Sequence, residues 1–323
     1  MAQPLVSIVI LNWNGTECID ACLQSVIQST YTNIEIVVVD NGSTDSSVQQ
    51  IQKYPQVLLV ALPKNTGYAA GNNVGFRHVR GEYVVALNND VVVDSRWLEQ
   101  PVALFESNAR TGIIACRQMN YDNHDIIDCL YAYPGQSLLF EPMGHGQVYK
   151  PAYDLHGCPG RVIAANGAAA IYRKTMLDEL EGFDESYYAY HEESDLCMRA
   201  FLHGWVCIYA PQAIVYHRSH FSFNRIKKEY TYYHERNRVW FIYTFFPLKT
   251  IIQHLPWLIV MELRLMRVHI LKRKMGTMFF IARYHGIRGC SRRKNLRREN
   301  VALFKIQQQR FRQYQKQKKL LLE

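Results

Sequence analysis

The chain has 323 residues, of which 48% are hydrophobic and 12% aromatic, and its formal net charge is +9. This length and composition allow one large core or two smaller ones and exclude an intrinsically disordered protein. The charge is unevenly divided, because residues 263–323 carry 18 basic and 2 acidic side chains whereas residues 1–262 carry 19 and 26. The basic excess therefore belongs to the C-terminal segment.

The sequence lacks the usual signals for export. Its N-terminus has no basic segment followed by a long apolar run, as a signal peptide would. The eight cysteines include no CxxC pair, a pattern typical of reduced thiols in the cytosol. The most apolar later stretch, 245–265, is broken by prolines and charges and makes a poor transmembrane helix. We expect a cytoplasmic protein.

Four apolar runs rich in β-branched residues alternate with segments of helical spacing in the first 90 residues. These runs are Val6–Leu11, Ile34–Val39, Val57–Leu62 and a run that ends at Asn88. The alternation predicts the α/β class, with a mainly parallel, Rossmann-like sheet flanked by helices. Each run ends in or is followed within three residues by Asn, Asp or Gly, so these polar residues would meet at the carboxyl edge of the sheet, where ligands bind in such folds.

The pattern is less regular after residue 91. It predicts helices near 95–108 and 192–203, strands near 112–117 and 206–217, a loop-rich stretch through 159 and a return to the sheet within 162–173. Beyond residue 230 it is helical, aromatic and increasingly basic. We predict an α/β domain over residues 1–245 and a helical, amphipathic, basic extension over 246–323.

The run at 83–90 ends in Asn88-Asn89-Asp90, which are three side chains able to approach a metal or a nucleotide. Alone, such a triplet is also typical of an ordinary turn or helix cap. The glycine-rich phosphate loops GxGxxG and GxxxxGK[ST] are absent. The remaining possibility is a nucleotide held by side chains together with Mg²⁺ or Mn²⁺, which would neutralise a diphosphate.

A second polar cluster contains Glu192, Glu193 and Asp195 at the start of a predicted helix. Acidic residues are favoured there by the helix dipole alone. Crowded carboxylates also repel one another, which raises a carboxyl pKa toward the range of a general base. His217 follows the predicted strand Cys207–Tyr216, and it is either a structural histidine or a metal ligand at the sheet edge.

Six ordered blocks make the chain resemble glycosyltransferase family 2 with the GT-A fold, in its bacterial rhamnosyltransferase-like subgroup. The resemblance covers roughly residues 5–245. The blocks are VSIVILNWNG (6–15), VVVDNGSTD (37–45), NTGYAAGNNVGF (65–76), LNNDVVV (87–93), GFDESYYAYHEESDLCMRA (182–200) and VYHRSHFS (215–222).

The resemblance implies a role for each matching residue. It places the nucleotide sugar against two groups of residues, which are Leu11, Asn12, Trp13, Asn14, Asp40, Asn41 and Ser43, and then Asn65, Gly67, Asn72, Asn73, Asn88 and Asn89. Asp90 ends the counterpart of the DXD motif and is implied as a metal ligand with His217. Glu193 stands where the family has an aspartate base, and Glu192 and Asp195 are its rivals.

The implied reaction is an inverting, metal-dependent transfer of one sugar to a hydroxyl of a glycan or lipid-linked saccharide in cell-surface polysaccharide synthesis. The subgroup favours dTDP-rhamnose as donor, with UDP-hexoses, UDP-N-acetylhexosamines and UDP-galactofuranose as alternatives. The QxxRW motif of processive synthases is missing. An inactive member acting as a binding or scaffolding subunit is the main alternative, and a nucleotidyltransferase is another.

The basic extension has two interpretations. Residues 255–298 combine large apolar residues with arginines and lysines, which suits peripheral contact with an anionic membrane. A helix packed on the catalytic domain with a solvated basic stripe is the alternative. No nucleic-acid-binding motif accompanies the charge, so we expect no nucleic-acid partner. The protein would then lie on the inner face of the cell membrane.

Overall fold

The computed structural model describes residues 3–154, 160–218, 227–272 and 274–322, and the side chains of 160, 227 and 316–322 are not part of that description. Residues 219–222 of the last sequence block and Arg273 of the basic segment lie outside the described residues. The chain forms two units. Unit 1 comprises the described residues within Met1–Ala132, Pro142–Tyr188 and Glu192–Phe221, and unit 2 those within Tyr133–Glu141, Ala189–His191 and Ser222–Glu323. The domain boundary predicted at residue 245 stays a prediction.

The described residues contain twelve strands. They are β1 (Val6–Asn12), β2 (Ile34–Asp40), β3 (Val57–Ala61), β4 (Tyr83–Asn88), β5 (Val91–Val93), β6 (Thr111–Asn120), β7 (Ile127–Cys129), β8 (Ala132–Pro134), β9 (Phe140–Pro142), β10 (Gly160–Val162), β11 (Ala169–Arg173) and β12 (Val206–His217). Ten of them form one sheet, whereas β8 and β9 pair separately.

The main sheet has the strand order β10-β12-β6-β11-β4-β1-β2-β3. β1 pairs in parallel with β2 and β4, β2 with β3, and β12 with β6. Strand β11 runs antiparallel between β4 and β6. The short strand β5 pairs with the end of β12, opposite His217. The predicted α/β class with a mostly parallel sheet is confirmed.

Six helices flank the strands of unit 1. They are α1 (Ile19–Ile27), α2 (Ser47–Ile51), α3 (Tyr68–Arg77), α4 (Glu99–Ser107), α5 (Lys174–Glu179) and α6 (Glu192–Leu202). Helix α3 lies very close to β1, since a Cβ added to Gly75 would sit 2.2 Å from Val9 Cγ1. The core contains the apolar faces of β1, β2 and β4 and of helix α1. No disulfide joins the cysteines in the described part of the chain.

Unit 2 is mainly helical. Its helices are α7 (Lys227–Phe245), α8 (Leu248–Gln253), α9 (Leu255–Arg267), α10 (Gly276–Gly289) and α11 (Lys294–Leu322). Part of its core is aromatic, with Phe246 contacting the rings of Phe304 and Phe311. None of the helices in the described residues has the length and apolarity needed to cross a membrane.

A buried ionic cluster also joins the helices of unit 2. The carboxylate of Glu235, 1% exposed, lies 3.2 Å from both Arg238 Nη2 and His269 Nε2. Arg283 on α10 bonds both Glu235 and Glu262. Because each buried charge faces an opposite one, the cluster offsets the cost of removing these groups from water.

Candidate active site

The ends of β1, β2 and β4 are tied together by a buried amide. Asn12, which is fully buried, donates from Nδ2 to Asp40 Oδ1 at 2.8 Å and to Ser47 Oγ at 2.9 Å. Its Oδ1 accepts from Asn89 Nδ2 at 2.8 Å. A Cβ at Gly15 would lie 2.2 Å from Asn89 Nδ2, so only glycine leaves room for this pair. The side chains predicted from separate strand ends therefore share one edge.

The turn after β2 continues this network. Ser43 Oγ donates to Asp40 Oδ1 at 2.5 Å and accepts from the Asn14 backbone N–H at 2.9 Å. Thr44 N–H donates in turn to Asn14 Oδ1 at 2.8 Å. Burial and these bonds fix the carboxylate of Asp40, which is only 3% exposed, before any ligand arrives.

Asn41 connects this edge to the segment that leads into α3. Its Nδ2 donates to the Gly67 carbonyl at 3.0 Å and to Asn65 Oδ1 at 3.2 Å. On the helix itself, Asn73 bonds the backbone of Phe183 through both Nδ2 and Oδ1. Asn72 donates to the Tyr68 carbonyl at 3.0 Å. These amide side chains therefore fix the backbone of neighbouring segments in addition to lining the edge of the sheet.

Asp90 and His217 lie side by side beyond β4. The Nε2 atom of His217 is 3.4 Å from Asp90 Oδ1, and its Nδ1 is 2.8 Å from Asp128 Oδ2. The antiparallel pairing of His217 with Val91 brings the two together. Burial disfavours the charged imidazole, but the hydrogen bond with Asp128 and the negative charges of Asp90 and Asp128 outweigh this and raise the pKa of His217 to about 10.

The three carboxylates at the start of α6 have different surroundings. Asp195, fully buried, is bonded by Arg199 Nε at 2.6 Å. Glu192 is 4% exposed, and burial together with the neighbouring Glu193 raises its pKa well above the ordinary value. Glu193 is half-buried and accepts from Ser194 Oγ at 3.1 Å. The three predicted candidates are therefore chemically distinct.

Tyr68, the first residue of α3, is influenced both by Asp90 and by the carboxylates of Glu192 and Glu193 at the start of α6. Its hydroxyl donates to the Gly167 carbonyl at 2.6 Å. Its pKa is raised well above the ordinary value, first by burial and then by the negative charges of Glu192, Glu193 and Asp90. A Cβ added to Gly167 would lie 3.5 Å from both this hydroxyl oxygen and Glu193 Cγ, so Glu193 lies close to the phenol.

Three buried oxygen atoms at these positions make no hydrogen bond within the described residues. They are Asn72 Oδ1, Asp90 Oδ1 and Glu192 Oε2. Buried acceptors are normally satisfied, and an unsatisfied carboxylate oxygen beside an imidazole nitrogen suits a divalent cation. No group of three or more His, Cys, Asp or Glu side chains among the described residues could hold a metal ion by itself. The residues fit an ion that takes its other ligands from a diphosphate and water.

The structure thus brings most of the predicted site residues to one edge of the sheet in unit 1. Leu11, Trp13, Asn14 and Asn88 are half-buried there. Two residues at the site were not predicted. Tyr68 could have been found, because it lies inside the sequence block at 65–76. Asp128 could not, since it lies on the three-residue strand β7, in a stretch that matches no motif.

Comparison with known proteins identifies the family. The family model described as Glycosyl transferase family 2 matches residues 7–180. An uncharacterized glycosyltransferase of Haemophilus influenzae is 31% identical over 109 residues, which are 32% of this chain and 34% of the relative. The cholesterol galactosyltransferase of Borreliella burgdorferi is 31% identical over 116 residues, 35% of this chain and 32% of the relative. The chain spans about a third of the length of each of these relatives.

Solved structures show the same fold. The mannosyltransferase PcManGT from Pyrobaculum calidifontis, in complex with GDP-Man and Mn²⁺, has a TM-score of 0.54 at 15% identity and covers 89% of this chain and 88% of its own. GalNAc-T7 with UDP, GalNAc and Mn²⁺ has a TM-score of 0.60 at 17% identity, over 75% of this chain and 48% of its own. At these identities the likeness establishes the GT-A fold, as the sequence blocks predicted.

Proposed function

The chain belongs to glycosyltransferase family 2, and on this premise we propose that the protein transfers one sugar from a nucleotide-sugar donor to a hydroxyl group of an acceptor. The proposal is carried by two observations: Nε2 of His217 lies 3.4 Å from Asp90 Oδ1, and a Cβ added to Gly167 would lie 3.5 Å from both the Tyr68 hydroxyl oxygen and Glu193 Cγ, while Tyr68 also feels the charge of Asp90. A diphosphate-binding pair and a pair of carboxyl groups are the two elements that an inverting transfer needs.

The donor would be held at the ends of β1 and β2. Asp40, fixed by Asn12 and Ser43, would accept hydrogen bonds from the base, and Trp13 would flank it. Asn65, Gly67 and Asn72 would border the nucleotide. Because the network is already formed, little conformational entropy is lost on binding.

Asp90 and His217 Nε2 would hold Mg²⁺ or Mn²⁺ next to the diphosphate, and Nε2 would release its proton to solvent when the ion binds. The bound ion would neutralise the charge that develops on the departing nucleoside diphosphate. Asp128 accepts from Nδ1 of His217 and so directs Nε2 toward Asp90, as carboxylates commonly do for histidine ligands.

Glu193 would act as the base. When both members of an adjacent carboxyl pair cannot be charged, the more deeply buried one keeps the proton. This is Glu192, whose pKa is strongly raised, so Glu193 would carry the negative charge. It would take the proton of the acceptor hydroxyl, whose oxygen attacks the anomeric carbon as the bond to the diphosphate breaks. Asp195 already forms an ion pair with Arg199 and is therefore the weakest candidate for the base.

Our preferred donor is dTDP-rhamnose, and our preferred acceptor is a glycan or lipid-linked saccharide in cell-surface polysaccharide synthesis. Both rest on the likeness of the sequence blocks to the rhamnosyltransferase-like subgroup. We also propose peripheral contact with an anionic membrane through residues 255–298, at the inner face of the cell membrane. The support is the charge of residues 263–298, which contain twelve Lys and Arg and no acid.

The test begins with the full-length protein, Mn²⁺ and a panel of nucleotide sugars that includes dTDP-rhamnose and UDP-sugars. We expect one donor class to raise the melting temperature and to release its nucleoside diphosphate when an acceptor is present. Asp90→Asn should abolish the release, whereas Asp122→Asn, at an exposed position, should not. A chain that binds no donor, or an Asp90→Asn variant that turns over normally, would contradict the proposal. Donor binding without any transfer would favour a scaffolding role.

A further inference from the structure

Large hydrophobic side chains exposed to solvent are concentrated in unit 2. Of the sixteen such residues in the described chain, fourteen lie between Leu248 and Ile306. Only Leu58 and Val148 are found in unit 1. A folded protein leaves single apolar residues exposed without consequence, but a concentration of this kind marks a surface that binds something.

Helix α9 is the clearest part of this surface. It has thirteen residues, and none of them is buried. Trp257, Ile259, Val260 and Leu263 are between 42% and 61% exposed. Residues 256, 260, 263 and 267 follow the three- and four-residue spacing of one helix face, and all four are exposed. We call the exposed side chains of α9, from Trp257 to Arg267, the insertion face.

Basic side chains lie on the insertion face and also in the residues that follow α9. Arg264 and Arg267 are exposed in the last turn of α9. Six further Lys or Arg side chains between residues 272 and 298 are exposed, namely Lys272, Lys274, Arg288, Arg292, Lys294 and Arg298. Two copies of this surface would repel each other, whereas an anionic lipid headgroup layer would attract it.

Helix α11 has a different arrangement, although it is also basic. Its Phe304 and Phe311 are buried, 1% and 2% exposed, and their rings contact each other and Phe246. These two aromatic side chains of α11 are thus already packed within unit 2, although Ile306 is exposed, and the cations Lys305 and Arg312 of the same helix are exposed. The charge of α11 is that of a solvated helix face.

We propose that the insertion face enters the headgroup and upper acyl region of an anionic membrane, with Arg264 and Arg267 bonding lipid phosphates. This rests on the proposed membrane contact and adds to it the element that inserts. Attachment by charge alone would vanish at high salt, whereas burial of Trp257, Val260 and Leu263 adds a hydrophobic contribution that salt does not screen.

The experiment uses the full-length protein with vesicles of phosphatidylglycerol and phosphatidylcholine, and with phosphatidylcholine vesicles as reference. We expect binding to the anionic vesicles, a blue shift of tryptophan emission that Trp257→Phe removes, and partial retention in high salt. The double variant Val260→Ser, Leu263→Ser should bind roughly tenfold more weakly or worse. Leu58→Ser, which changes a residue 49% exposed in unit 1, should bind normally.

The charge is tested in the same way. Arg264→Gln with Arg267→Gln should weaken binding, while Lys305→Gln with Arg312→Gln, the same charge change on α11, should have little effect. Absence of binding to anionic vesicles, equal losses for the α9 and α11 pairs, or a dimer that Leu263→Ser dissociates in place of vesicle binding would overturn the proposal. Donor-induced stabilisation is measured in parallel on each variant, so loss of the membrane contact and failure of the proposed sugar transfer are distinguishable.

Discussion

At the sheet edge of unit 1 the polar side chains are buried and bonded to one another, whereas helix α9 of unit 2 leaves its large apolar side chains in solvent. Asn12 is fully buried with partners on both sides of its amide, and Leu263 is 61% exposed. Burying polar side chains costs free energy because they lose their hydration. Exposing large apolar side chains costs free energy because they remain in contact with water. The first cost is offset by a preformed hydrogen-bond network, and the second would be offset by a partner surface.

The two surfaces suit different tasks, which are ligand specificity at the sheet edge of unit 1 and attachment to a membrane through helix α9 of unit 2. A fixed network of amides and carboxylates discriminates a small polar ligand, because a wrong ligand leaves buried groups unpaired. An exposed apolar and cationic face would distinguish anionic from neutral lipids by charge but would recognise no individual lipid, since it acts through area and charge. Substitutions in each unit test whether the two units divide these tasks.

Glu193→Gln should have the largest effect. Removal of the base should lower turnover by about a thousandfold, within the range for general-base catalysis, while the donor Kd changes little because Glu193 does not hold the nucleotide. Single-turnover transfer and donor titration on the same sample separate the two quantities. Glu181→Gln, an exposed acid, is the control. Near-normal turnover of Glu193→Gln would indicate that Glu192 acts as the base.

Glu235→Ala should destabilise unit 2 by about 3 kcal/mol, the lower end of the range for a broken buried pair, because it removes the buried carboxylate that Arg238 and Arg283 share and leaves them only Glu262. Denaturant unfolding followed by tryptophan fluorescence measures the loss, with Glu299→Ala at an exposed position as control. Donor-induced stabilisation should persist below the unfolding transition of the variant. A variant as stable as the wild type would show that the ionic cluster does not hold the helices together.

The same residue predicts a pH dependence. Burial opposes the charge of Glu235, but hydrogen bonds from His234 and His269 and the charge of Arg238 hold its pKa well below the ordinary value of 4.5. Arg283 and Glu262 also face this group. A lowered folded-state pKa gives stability that is present above pH 4.5 and is lost as the pH falls. Acid titration of Glu235→Gln should show a shallower loss than that of the wild type.

Asp128→Asn should weaken Mn²⁺ binding by about ten- to a hundredfold, as expected when the partner that orients a ligating histidine is altered. Electron paramagnetic resonance of free Mn²⁺ measures the affinity in the presence of a nucleoside diphosphate, independently of turnover. Asp125→Asn, an exposed neighbour in the same segment, should bind normally. Equal affinities for the wild type and Asp128→Asn would mean that His217 needs no orienting partner.

Ser43→Ala should have the smallest effect. It removes the hydroxyl that bonds Asp40 and accepts from Asn14 N–H, and one hydrogen bond contributes about 1 kcal/mol. We therefore expect donor affinity to fall roughly fivefold with kcat unchanged. Thr32→Ala, at an exposed residue before the start of β2, is the control. A change in kcat would show that this turn also positions the reacting sugar.

The sequence allowed the parallel half of the sheet to be predicted because β1, β2 and β4 are covered on both faces and read as unbroken apolar runs. The convergence of Asn12, Asp40 and Asp90 followed from their position at strand ends. Strand β11 was not predicted as an antiparallel insertion between β4 and β6, because an apolar run carries no information about direction.

Other features depend on contacts that no local pattern encodes. Asp128 gains its place through pairing of the short strand β7 with β6. Charge counts indicated a basic extension, but they could not distinguish α9, which buries no side chain, from α11, which buries Phe304 and Phe311. Which face of a basic helix is covered is decided by tertiary packing.

A crystal structure with a nucleoside diphosphate sugar and Mn²⁺, in which anomalous scattering locates the metal, would test the proposed transfer directly. We expect one Mn²⁺ bound by Asp90, His217 Nε2 and the diphosphate, with the nucleoside base at Asp40 and the carboxylate of Glu193 facing the anomeric carbon. A metal bound elsewhere, or a sugar directed away from Glu193, would contradict the proposal.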